Sequence, residues 1–503
     1  MDLPVAEYMP DQPPLSAGSS TIHNVYPKTL TSYGPLASFE NAFTALAAKV
    51  QGAYVGMDSA GNVQVFAGTA TKLYSLPPAA SAFTDASGAT YTTASDTIWK
   101  FTQFGQRVLA TNYADAIQTF TLNVDSAFSD LAAAAPKARY ITTVKDFVMV
   151  GNTQDTTYGE QPQRIWWSAI NDSTNWPTPG TSTAAQVQSD YQDIPGDQGW
   201  IQGVVGNLGT ADVAIFFERA IWRGIYVGSP DIFSFQPAEG VRGCPAPGSI
   251  AQLGAMVFYL GEDGFYMFDG SNSTPIGAQK IDKTFYADVN QSYMYRICSA
   301  VDPINKLVFW AYPGTGSVNG TCNKLLIYNW SLNRWSNADC DLEYILRALT
   351  FGYTLDSLDT TGYNLDTLPF SLDSRVWTGG SIILGGFDTS HRFGYFTGSN
   401  LAPTVETSEV EIGKSNTGNY GSRVFIRATR PLVDGGTPSV SLGGRNRLID
   451  SSVYNASSAI NTWGECPQRL DTRYVRAQIT LPSGSSFLHI SGVNLALSGS
   501  GKR

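Results

Sequence analysis

The sequence predicts an all-β fold: a six- or seven-bladed β-propeller with insertions, followed by a C-terminal β-sandwich-like domain. Three observations predict it. The 503 residues hold 12% aromatics and 49 glycines but only 15% charged residues, a balance that favours strands and turns over helices. Apolar alternation running into a turn and a second alternating strand recurs, with turn centres near residues 70, 115, 158, 219, 263, 317 and 389. The short gaps are about 42 to 45 residues, the period of one four-stranded blade. Finally, the charge steps near residue 402. Residues 402–503 hold 11 Lys/Arg and 7 Asp/Glu, a net +4, whereas residues 1–401 hold 21 and 35, a net −14. A step of that size marks a boundary.

Residues 1–51 read as an extended N-terminal arm and a short helix. Pro4, Pro10, Pro13, Pro14, Pro27 and Pro35 fix φ and remove donors, which suits an arm or edge segment. FENAFTALAAKV (39–50) places Phe39, Phe43, Leu46 and Val50 at helical spacing. Residues 52–401 are the propeller. Its hairpins include NVQVFAGTATKLYSL (62–76), QRVLATNYADAIQTFTL (106–122), VAIFFERAIWRGIYVG (213–228), MVFYLGEDGFYMFDG (256–270) and SIILGGFDTSHRFGYFTG (381–398).

Two insertions interrupt the period. Residues 171–200 are a long polar loop. Residues 352–376 repeat Leu-Asp and carry Leu355, Leu358, Leu365, Leu368 and Phe370 in a turn-rich stretch. Long loops in compact domains are functional or disordered. This one is read as an arm docking on a neighbour, the alternative being an arm folded onto its own propeller.

Residues 402–503 form a small β-sandwich platform. RVFIRATRPL, PSVSLGG, RYVRAQITLP and FLHISGVNLAL alternate and are separated by glycine-rich turns. Arg423, Arg427, Arg430, Arg445, Arg447, Arg469, Arg473 and Arg476 partly alternate with apolar residues. One basic face or ordinary solvated strand positions both fit that pattern. Arg473 and Arg476 are the candidate interface pair.

The residues of catalysis are sparse, so no enzyme, cofactor or metal site is expected. His23, His391 and His489 are scattered, and Cys244, Cys298, Cys322, Cys340 and Cys466 contain no CxxC pair, so reduced, mostly buried thiols are expected. The terminal GSGKR lacks the Ser/Thr and helix of a phosphate-binding loop. Glu262 and Asp263 lie in a hairpin turn, which accounts for the acids without chemistry. Trp166, Trp167 and Trp176 serve as blade core or as platforms for sugar rings.

MDLPVAEYMP lacks an apolar h-region and no apolar run approaches a membrane span. A chain made in a cytoplasm with the composition of an extracellular surface protein suits a virus particle. A net charge of −10 argues against a surface that binds DNA throughout. Acidic propellers around a channel would instead keep DNA from adhering as it passes.

Several segments resemble the tail-hub, or nozzle, proteins of short-tailed bacteriophages, also called packaged-DNA stabilisation proteins. They are MPDQPPL (9–15), NVYPKT (24–29), GNVQVFAGTATKLY (61–74), RIWWSAINDSTNWPTPG (164–180), LGEDGFYMFDGSNSTPIGAQKID (260–282), VDPINKLVFWAYP (301–313) and LLIYNWSLNRWS (325–336). The resemblance implies a virion tail protein, assembled in the host bacterial cytoplasm, forming a homo-hexameric ring beneath a portal and head–tail adaptor. It further implies contacts with tail fibres, spikes or a needle-like plug, and double-stranded DNA passing without sequence recognition. The alternative from another class is a propeller lectin or glycan-binding module.

Overall fold

A computed structural model describes residues 1–78, 80–209, 211–350, 380–412 and 423–499. Five separate four-stranded antiparallel sheets follow one another along the chain. Blade 1 begins at Ala53–Met57, blade 2 at Lys100–Phe104, blade 3 at Lys137–Val144, blade 4 at Ile201–Gly206 and blade 5 at Ala251–Leu253. Blade 6 comprises Cys298–Asp302, Leu307–Tyr312, Cys322–Asn329 and the first half of Arg334–Leu349. The second half of that strand opens blade 7, which continues through Ile382–Asp388 and Arg392–Tyr395. The outermost strand of blade 7 is Glu40–Ala45, from the N-terminal region. Among the described residues the circle is thus seven-bladed and is closed by an early strand on the last blade.

That closing strand corrects the helix expected over 39–50. Phe43 stacks on Phe393 and meets Tyr395 edge-on, while Phe39 meets Phe396. The apolar spacing fits about three helical turns, but the open edge of blade 7 offers backbone partners to an extended segment. Tertiary pairing overrides so short a local signal.

Core packing explains the continuous apolar runs. In Val213–Phe217, Val213, Ile215 and Phe217 join the cluster between blades 3 and 4, whereas Ala214 and Phe216 join that between blades 4 and 5. Successive side chains point to opposite faces of a strand, so a blade packed on both sides is apolar at every position. The same arrangement recurs around the circle, from Phe66, Trp99 and Phe120 between blades 1 and 2 to Val65, Phe387 and Phe393 between blades 7 and 1. Polar bonds add to it on the inner strands. Gln103 Nε2 donates to the Met57 carbonyl of blade 1 at 2.7 Å, and Gln252 Nε2 donates to the Gly206 carbonyl of blade 4 at 2.7 Å.

The insertion at 171–200 is partly a blade element. It holds the helix Ser182–Gln186 and the strand Asp190–Asp193, which completes blade 3 beside Gly159–Trp167. The insertion at 352–376 lies outside the described residues.

The C-terminal segment builds a two-sheet sandwich with N-terminal strands inserted into it. Asp2–Pro4 and Ser32–Pro35 pair with Ile490–Gly499 in a six-stranded sheet, which also holds Val25–Thr29, Val424–Val433 and Cys466–Thr472. Ile22–His23 sits between Thr404–Glu406 and the blade 6 strand, at Asn337. Through it, the second sandwich sheet and blades 6 and 7 form one continuous fourteen-stranded sheet. Ile426, Val493 and Leu495 of the first sheet pack on Val440, Leu442, Val475 and Ile479 of the second.

Candidate interaction surface

The candidate arginines divide into three environments. Arg476 lies on Tyr474–Thr480, in the sheet that continues into the propeller. Its guanidinium lies 5.1 Å from the Tyr454 ring centroid and 3.9 Å from Glu406. Glu406 is buried and also accepts bonds from Ser19 Oγ at 2.8 Å and Tyr454 OH at 2.6 Å. Burial, and then the Glu406 charge, pushes the Tyr454 phenol well above its usual range, so it stays a donor. Beside it, Arg445 Nε donates to Glu409 at 2.8 Å, with side-chain exposures of 9% and 7%. Arg476, Arg445 and Glu409 line a cavity of about 260 Å³ together with Met9, Pro10, Pro13, Pro14 and Leu15. Glu406 therefore ties the N-terminal segment to the sandwich, and Arg476 lies beside it. Arg473 stands just before the same strand and also has a bonding partner.

The second environment is surface ion pairs: Arg423 with Asp471, Arg430 with Glu465 and Arg447 with Asp450. The third is the outer face of the six-stranded sheet. Arg427 falls at the irregularity between Ile426 and Ala428, is exposed, and has no carboxylate partner among the described residues. Arg469 on the neighbouring strand is likewise exposed and without a carboxylate partner among the described residues. Phe425 and Leu432 flank them at 37% and 42% exposure, and Trp463 on the adjoining loop is 82% exposed. Composition alone did not separate these arginines. Strand parity was the available signal, because Phe425 and Arg427 share a face opposite the buried Ile426 and Ala428. Leu355, Leu358, Leu365, Leu368 and Phe370 lie outside the described residues.

At the centre of the propeller, inner strands of blades 1, 5, 6 and 7 surround a cavity of about 430 Å³ lined by Tyr54, Gln252, Ser299, Tyr344 and Arg347. The seven inner strands carry Lys100, Lys137, Arg139 and Arg347 against Asp302 and Glu343. The acidity of the propeller is thus not concentrated on its own axis.

The groups singled out for chemistry have structural partners. His23 bonds Asn337 and Asp339, His391 bonds Glu343, and His489 bonds Ser32. All five cysteines are free, and burial pushes the Cys244 thiol up to about 11. Among the described residues, no group of three or more His, Cys, Asp or Glu is arranged to hold a metal ion. No helix among them is long and apolar enough to cross a membrane. Trp166, Trp167 and Trp176 are 5%, 2% and 2% exposed, so they are core. Trp166 and Trp176 nevertheless form the floor of a cleft of about 480 Å³ between blades 2 and 3, with Asp130, Asp155 and Tyr158 around it.

Neither a protein-family model nor a curated protein matches the chain. Among solved structures, a chain in the crystal structure of a mitotic checkpoint complex is similar over 72% of this chain and 95% of its own, at 8% identity and a TM-score of 0.38. The computationally designed Ika8 protein is similar over 72% of this chain and 98% of its own, at 8% identity and a TM-score of 0.36.

Proposed function

We propose that this chain is a structural tail-hub or nozzle subunit of a short-tailed bacteriophage. In this reading it forms a homo-hexameric ring that extends the portal–adaptor channel, retains packaged DNA and conducts it at ejection. The observation that carries the reading is the continuous fourteen-stranded sheet joining propeller to sandwich. A conduit under load needs its lobes to move as one body, and hydrogen-bonded strands couple them more stiffly than a linker. The segments that resemble the family fall on this frame. MPDQPPL forms the turn whose Asp11 carboxylate accepts the backbone N–H groups of Lys283 and Thr284, and LLIYNWSLNRWS forms the last hairpin of blade 6. The net −14 of residues 1–401 would discourage DNA from adhering to the ring. Adaptor, fibres, spikes or a plug would bind its outer surfaces.

The test is negative-stain microscopy of the chain alone and with its particle's portal–adaptor complex. Sixfold rings below the adaptor are expected. Single discs that ignore the adaptor would sink the reading.

The cleft beside Trp166 and Trp176 favours a second reading, a glycan-binding module. Carboxylates at Asp130 and Asp155 would accept sugar hydroxyls there, with Tyr158 as an apolar wall. Glycan-array binding lost on Asp155→Ala would move the conclusion to that class.

A further inference from the structure

The outer face of the six-stranded sandwich sheet is an apolar and basic strip. Phe425, Arg427 and Leu432 project from Val424–Val433, Arg469 from Cys466–Thr472, and Trp463 stands at the rim. It resembles the centre of a protein interface, where aromatic residues and arginine are enriched. Among the described residues neither Arg427 nor Arg469 has a carboxylate partner, whereas Arg430 beside them is paired with Glu465. Two unpaired cations among exposed apolar side chains call for an occupant that is both acidic and apolar.

The chain contains such a segment. Residues 352–376 carry Asp356, Asp359, Asp366 and Asp373 against one Arg375, interleaved with Leu355, Leu358, Leu365, Leu368 and Phe370. The described chain stops at Thr350 and resumes at Gly380, whose backbones are bonded to each other at the end of an inner blade 7 strand. The 29 residues between them can project about 45 Å if extended out and back.

The geometry points to residues 352–376 of one copy docking on the Phe425–Arg427–Leu432–Arg469 face of the next copy. Three features favour a neighbour over the same copy. The arm is rooted beside the propeller axis. The sandwich joins the outer strand of blade 6 through Ile22–His23. The docking face lies on the sheet away from the one continuous with the propeller. An interface between two different patches is head-to-tail and generates a ring when the rotation closes. In that respect the inference rests on the ring reading above and names the contact that would build it.

A peptide of residues 352–376 and a chain with those residues replaced by a Gly-Ser linker test it. The peptide is expected to bind the arm-deleted chain, measured by fluorescence anisotropy. Binding should weaken at least tenfold with Arg427→Glu/Arg469→Glu. It should weaken similarly when the peptide's four aspartates become asparagine, which leaves the protein untouched. Arg447→Glu, on a surface pair elsewhere, should change nothing. The intact monomeric chain should also bind the peptide. If only the arm-deleted chain binds it, the arm occupies its own copy and the proposal is overturned. Absence of binding, or binding indifferent to both charge changes, overturns it too. A short DNA duplex captured by the same arginines in place of the peptide would do the same. Sixfold rings without peptide binding would leave the hub reading standing and remove this interface. Peptide binding without rings would do the reverse.

Discussion

Asn41 pairs with Gly394 across the outermost two strands of blade 7, so a residue near the start of the chain closes a circle begun at residue 53. The contact is close. A Cβ added to Gly394 would stand 2.0 Å from the Glu40 carbonyl oxygen and 2.9 Å from the Asn41 Cα. Backbone cannot yield as a side-chain tip can.

Gly394→Val should therefore destabilise the chain by about 3 kcal/mol, the upper end of overpacking costs. Urea unfolding measures it. Gly240→Ala, which meets nothing within 4 Å, is the control and should be neutral. Equal midpoints for the two variants would mean that the closing strand does not hold the circle.

Asp282 is the group expected to govern stability near neutrality. It is buried against Gly264 and Gly277 and accepts a bond from the Phe265 N–H at 3.2 Å. Burial raises its carboxyl to about 7 from an ordinary 3.8, and Asp11 and Asp263 add to the rise. A raised folded-state value means that the folded chain binds the proton more tightly than the unfolded chain. Its contribution is then full below about pH 4 and is lost as pH rises through 7, amounting to roughly 4 kcal/mol. Asp282→Asn should raise stability at pH 8 and remove this slope. A wild-type melting temperature that climbs from pH 5 to pH 8, with the variant parallel, would contradict it.

Much of this architecture was legible in the sequence because blade strands are buried on both faces. The runs VAIFF and MVFYL are apolar at every position, and the hairpins recur at the blade period. The Glu40–Ala45 strand was not legible. Phe39, Phe43, Leu46 and Val50, in and around it, fit about three helical turns, and its partner, Arg392–Tyr395, is about 350 residues away. The arginine-rich segment was legible only as a composition. Alternation shows which residues share a face, but Glu406 and Glu409 decide which arginines are neutralised. Those acids come from Thr404–Glu406 and the segment after it, distant in sequence from Arg445 and Arg476.

The buried pair Arg445–Glu409 leads to a third prediction. Glu409→Gln leaves a guanidinium uncompensated at a site 9% exposed. Breaking one side of such a pair costs about 3 kcal/mol, whereas surface pairs contribute little. Arg447→Gln, which breaks the exposed pair with Asp450, should shift stability by less than about 0.5 kcal/mol. Thermal unfolding of both variants decides it, and similar losses would mean that Arg445 is solvated.

The N-terminal strands make the sandwich a shared structure, which a fragment experiment tests. Leu3, Val5, Ile22, Val25 and Tyr33 belong to the same core as Ile426, Val440 and Ile479. Without residues 1–36, the six-stranded sheet loses Asp2–Pro4, Val25–Thr29 and Ser32–Pro35, and the strand Thr404–Glu406 loses Ile22–His23. Exposed sheet edges and uncovered apolar faces favour aggregation over folding. Residues 402–503 expressed alone should therefore lack cooperative unfolding by circular dichroism. Adding residues 1–36 as a separate peptide should restore it, because the pairing needs no covalent link through the propeller. A cooperative transition in the isolated fragment, unchanged by the peptide, would show that the N-terminal strands only decorate a self-sufficient sandwich.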